Sequence, residues 1–154
     1  MKLDYALAVG LHQLATVVWI GGMFFAHFAL RGSAQAKLEP DQRMPLMLAV
    51  FDRFFVWVWL SILTLWGSGF WMFFSPAGGK WGWYVHAMMS IAALMTLLFA
   101  FLYFKPYPAL RRHVTAQDWP GGAKPLGLIR HIILVNLGLG LLNAALGGAG
   151  RYLL

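Results

Sequence analysis

Four stretches without a single Asp, Glu, Lys or Arg dominate this chain: Tyr5–Leu30, Phe54–Gly79, Trp81–Phe104 and Ile132–Gly150. Each matches or exceeds the roughly 20 residues that cross a bilayer as a helix. Lipid offers no partner to an exposed backbone, so a spanning segment is either a helix or part of a closed barrel. Unbroken apolar runs lack the alternation of barrel strands, which leaves helices. Composition agrees, because only 11% of residues are charged and 60% are hydrophobic. A soluble domain carries about 25% charge, and a chain of 154 residues has too much surface to cover with less than half of that.

The expected fold is an all-α membrane protein, one up-down-up-down bundle of four transmembrane helices in a single domain over residues 1–154. The helices are expected at about 5–30, 46–74, 81–104 and 126–150. The second starts ahead of its uncharged run because Pro45 suits a first turn. Two longer polar connections, Arg31–Met44 and Lys105–Pro125, contrast with a tight turn at Ser75–Lys80.

Net charge is +7, and its distribution gives direction. Arg31, Lys37, Arg43, Arg53, Lys105, Arg111, Arg112, Lys124 and Arg130 fall in or beside the longer connections, against Lys2, Lys80 and Arg151 on the other side. That asymmetry predicts cytoplasmic loops and both termini outside, in a bacterial-type inner membrane. The basic residues then meet lipid headgroups rather than nucleic acid. Trp71, Trp81 and Trp83 fall at the outer interface. Met1–Lys2 followed by an apolar run and Ala34-Gln-Ala36 mimics a signal peptide. The run is about twice the usual 7–15 residues, so helix 1 is expected to stay. Cysteine is absent, which excludes disulfides, thiolate metal sites, iron–sulfur clusters and covalent haem attachment.

Histidine inside a span is costly and usually faces the bundle interior. Four of the five lie in spans and sort into two depth-matched pairs: His12 with His86 towards the outer side, His27 with His131 towards the inner. His113 sits in a loop beside Arg111 and Arg112, where it is expected to be solvated. Neighbouring helix axes lie about 8–10 Å apart, so diagonal ones lie roughly 13 Å apart. That suits two imidazoles sandwiching an iron on the diagonal helices 1 and 3. His12 and His86 are therefore the favoured axial ligands of a haem b, with His27 and His131 as a second haem or polar site. The ordinary alternative for each is an interhelical hydrogen bond. Arg31, Arg53 and Arg130 are candidate contacts for haem propionates, a quinone or another anion, the alternatives being snorkelling to headgroups and an Asp52 salt bridge. Met44, Met47, Met88 and Met89 are soft donors suited to Cu(I), although no methionine ladder crosses a span. No nucleotide loop, catalytic triad or intramembrane carboxylate pair is present.

Helix 1 reads Leu11-His12-Gln13-Leu14-Ala15-Thr16-Val17-Val18-Trp19-Ile20-Gly21-Gly22-Met23. This His-x6-Trp-x-Gly-Gly pattern resembles the opening of CopD-domain membrane proteins, named for copper resistance. Phe51-Asp52-Arg53-Phe54-Phe55 leading to Gly67 and Gly69 resembles that family's second helix, and Gly147 to Tyr152 its close. A more distant resemblance is to HemJ-type protoporphyrinogen oxidases, four-helix proteins that bind haem b. The first likeness implies copper handling, the second haem and oxidoreduction. HemJ-type proteins carry a lysine shortly after a Trp and a His at the start of helix 3. Here Trp83 and His86 are followed by Ala87-Met88-Met89, with no lysine. The functional expectation is a haem b protein with one haem, or two, that passes electrons as a membrane oxidoreductase. Its partners would be a quinone or periplasmic redox protein, or a second copy of the chain. Copper transport is the alternative, and a structural subunit of a larger complex the second alternative.

Overall fold

The computed structural model describes residues 2–75 and 81–152, without the side chains at positions 2 and 151. Helix α1 (Lys2–Phe24) passes through a π-helical stretch (Phe25–Leu30) into α2 (Arg31–Lys37). Then come α3 (Pro40–Phe74), α4 (Trp83–Phe104), α5 (Pro106–Thr115), α6 (Trp119–Ala149) and a closing 3-10 turn (Gly150–Tyr152). Among the described residues, four continuous helical segments are long and apolar enough to span a membrane: Leu3–Lys37, Pro40–Phe74, Trp83–Thr115 and Trp119–Ala149. The protein is an all-α four-helix membrane bundle. Large side chains such as Leu14, Val17, Trp57, Leu63 and Leu97 point outward, an apolar surface that fits lipid and not water.

The helices are longer than the uncharged runs. Both connections expected to be polar loops are mostly helical, and α3 and α6 start well before 46 and 126. Prolines explain the starts, because Pro40, Pro106 and Pro120 occupy first-turn positions where a missing N–H costs nothing. Amphipathicity explains α5. It buries Pro106, Tyr107 and Leu110 against the bundle and leaves Arg111 and Arg112 outside. At its end Gln117 turns left-handed (φ 54°). The N–H groups of Gln117 and Asp118 close back onto the carbonyls of Val114 and His113, a Schellman stop. Asp118 then caps α6 by accepting from the Gly121 N–H at 2.9 Å. The expected turn at Ser75–Lys80 falls largely outside the described residues.

Helix α1 packs along α3, α4 along α6, and α1 also meets α6. Helices α1 and α4 thus face each other diagonally, with Trp19 and Phe99 meeting edge-on at 6.4 Å. Gly22 lets α1 approach α3, since a Cβ there would fall 2.2 Å from Cε2 of Phe54.

The half carrying the connections, here the loop half, is solid. Phe51 and Phe55 stack at 5.2 Å, and Phe99 and Tyr107 meet Phe55 edge-on. Leu102, Leu110, Leu126 and Ile129 fill the remaining space. Across its edge, Asp52 of α3 accepts from the Tyr107 hydroxyl and pairs with Arg111 at 2.6 Å, tying α5 down.

Candidate functional site

The half carrying the chain termini is hollow. A cavity of about 310 Å³ opens between α1, α3, α4 and α6, within the range of small-ligand sites. Its wall carries rings (Trp19, Trp66, Phe70, Phe73, Trp81) and four thioethers, Met72, Met88, Met89 and Met95. Among the described residues the polar groups are few: His12, Gln13, Thr16, Thr96 and Asn143, with the hydroxyl-bearing rings of Tyr5 and Tyr84. Trp66 donates to Thr96 at 3.1 Å and joins α3 to α4. Asn143 keeps a buried Oδ1 without a hydrogen-bond partner.

His12 is oriented by a definite chain of bonds. Ser68 donates its only proton to the Thr64 carbonyl one turn back. Its oxygen therefore accepts from His12 Nδ1, 2.9 Å away. In a neutral imidazole this tautomer leaves Nε2 with a free lone pair. Orientation of a ligand imidazole through its other nitrogen is the usual support of a metal-binding histidine. The ring lies against Gly69, where a Cβ would stand in ordinary contact, 3.5 Å from His12 Cε1.

The remaining histidines do not join it. His86 is exposed on the flank of α4, edge-on to Phe73 at 5.9 Å, and does not line the cavity. The two imidazoles expected to share an iron therefore do not meet in one cavity. His27 lines a small cleft in the loop half together with Arg31 and Arg130, while His131 is exposed on the outside of α6. Arg53 is exposed and donates to the Ala49 carbonyl of its own helix. His113, expected to be solvated, pairs with Asp118 at 2.8 Å. Among the described residues no group of three or more His, Asp or Glu side chains forms a metal site.

Sequence reasoning missed Asn143, Met72 and Met95 as cavity residues, and Ser68 as the partner of His12 behind the wall. Placing α3, α4 and α6 at their true phase would have found the lining residues, since 65, 69 and 72 share one face, as do 85, 88, 92 and 95, and 140, 143, 144 and 147.

The CopD family, copper resistance protein D, matches residues 48–149. This chain belongs to the CopD family. No curated protein and no solved structure matches it. The match spans α3 to α6, so it contains three of the cavity's four walls and all four methionines, while His12 lies outside it.

Proposed function

We propose that this CopD-family protein handles copper within the membrane, taking Cu(I) into the cavity of the terminal half as its cargo. The observation that carries the reading is one wall set combining His12, held by Ser68, with four thioethers. Imidazole and thioether suit Cu(I), whereas harder cations prefer carboxylates, and among the described residues no carboxylate lines this cavity. The aromatic wall lowers the local dielectric, which favours a singly charged ion over a doubly charged one. With the connections on the cytoplasmic side, the cavity faces outward. Reporter fusions after Lys37 and after Gln117 test that direction: both should read cytoplasm, and a periplasmic result for either would overturn it.

A second reading keeps His12 and changes the guest. The ring-lined wall also suits a flat porphyrin, which would give a haem b protein of electron transfer with His12 as its axial imidazole. A single preparation separates the two. Purified protein titrated anaerobically with Cu(I) in detergent should hold the ion and remain colourless, and His12→Ala should release it. A reducible haem spectrum in the untreated protein would favour the second reading. Neither copper retention nor colour would sink both.

A further inference from the structure

At the loop end, three guanidinium groups converge from three helices: Arg31 at the start of α2, Arg43 in the first turns of α3, and Arg130 within α6. Nε of Arg31, Nε of Arg43, and both Nε and Nη2 of Arg130 are sealed from solvent without an acceptor. Charged donors buried without a partner are costly, and native structures rarely leave several together. Arg31 and Arg43 are near enough to Arg130 for their charges to repel it. Among the described residues no ion pair joins any of the three to a carboxylate. Asp52 is held by Tyr107 and Arg111, and Asp118 by His113 and Gly121.

We propose that this cluster binds a phosphate-type oxyanion. Donor forks arriving from three directions match the tetrahedrally spread oxygens of a phosphate or phosphodiester better than the two coplanar oxygens of a carboxylate. Beside the guanidinium groups a cleft of about 10 Å³, lined by His27, Arg31, Met47, Phe51 and Arg130, has room for one oxygen atom. The anion therefore seats at the mouth of the cleft, not inside it. Helix α1 departs from α-geometry over Phe25–Leu30, the stretch carrying His27 and ending at Arg31, and π-turns of this kind frequently mark sites. The anion is either the headgroup of an acidic phospholipid or free phosphate. The site is separate from the copper cavity and does not depend on it.

The test uses the full chain, delipidated in neutral detergent. Inorganic phosphate is titrated against chloride at constant ionic strength while thermal unfolding is followed. In parallel, unfolding is measured in phosphatidylcholine nanodiscs with and without phosphatidylglycerol. A saturable rise with phosphate alone assigns the free anion, and a rise only with phosphatidylglycerol assigns the headgroup. In either case Arg130→Gln should weaken half-saturation about tenfold, as loss of a charge-assisted bond does. Arg112→Gln, on the exposed face of α5, should leave it unchanged. If Arg130→Gln fails to fold, Arg43→Gln is expected to show the same weakening. No rise in either medium, or equal rises in the cluster variants and Arg112→Gln, overturns the proposal.

Discussion

The two halves of the bundle use similar side chains to opposite ends. Both are rich in aromatic residues and methionine. In the loop half, Phe51, Phe55, Phe99 and Tyr107 interlock and leave almost no space. In the terminal half, Trp19, Trp66, Phe70 and Trp81 line a void of about 310 Å³. Inside lipid there is little hydrophobic force between helices, so association depends on packing. The solid half supplies that packing, and the hollow half is free to hold a guest. Composition alone does not separate a core from a container; the phase of each helix does.

The largest expected effect tests this division directly. Phe55→Ala removes a ring that is 2% exposed at the centre of the solid half. It should cost about 2–3 kcal/mol, less than in a soluble core because the unfolded side chain already lies in lipid. Ala92→Leu adds bulk to the cavity wall and should cost about 1 kcal/mol or less, since space is waiting for it. Denaturation in detergent measures both. Similar costs for the two would break the comparison.

The next effect concerns the guest. Ser68→Ala removes the acceptor that fixes the His12 tautomer without touching the cavity wall elsewhere. Copper retention should fall about 10- to 100-fold, as when outer-shell partners of metal ligands are lost, while unfolding changes by about 1 kcal/mol. Ser68→Thr restores the hydroxyl and should restore retention. If Ser68→Ala holds copper as well as the parent chain, His12 is not a ligand set by Ser68.

Much of the fold was legible because spans are a matter of run length, and each of the four uncharged stretches falls for most of its length on one of the four observed helices. Their ends were not, because Pro40, Pro106 and Pro120 start helices inside polar sequence. That misplacement carried a consequence: Arg43 looked like a loop residue, although it lies in the first turns of α3. Depth was readable for the histidines, but azimuth was not. His12 and His86 lie in the same half, yet one faces the cavity and the other the outside. The helix 1 pattern pointed to CopD kinship, while the family match rests on residues 48–149.

A smaller effect belongs to the seam of the solid half. Asp52 and Arg111 pair at 2.6 Å but are 37% and 50% exposed. Asp52→Asn should therefore cost about 1 kcal/mol or less, with most of the change in how tightly α5 lies down. Hydrogen exchange over Pro106–Thr115 reads that directly. Faster exchange in α5 with the terminal half unchanged would sharpen the comparison, because it confines the tether to one end.

The smallest effect is a pH response at the α5–α6 junction. The Gly121 N–H, and then His113, hold the Asp118 carboxyl below its ordinary value of 3.8. A depressed carboxyl contributes stability that is fully present above its unfolded value and disappears as pH falls through the folded one. The loss therefore belongs below about pH 4. Asp118 is exposed, so the effect is slight. Asp118→Asn keeps a capping oxygen but cannot titrate. Unfolding measured at pH 6 and again at pH 3 should fall less in Asp118→Asn than in the parent, and His113→Gln should fall between them because the Gly121 bond remains. If the parent and Asp118→Asn fall equally, the acid sensitivity lies elsewhere. The junction would then be held by the left-handed turn at Gln117 and by the packing of Leu110, without help from the cap.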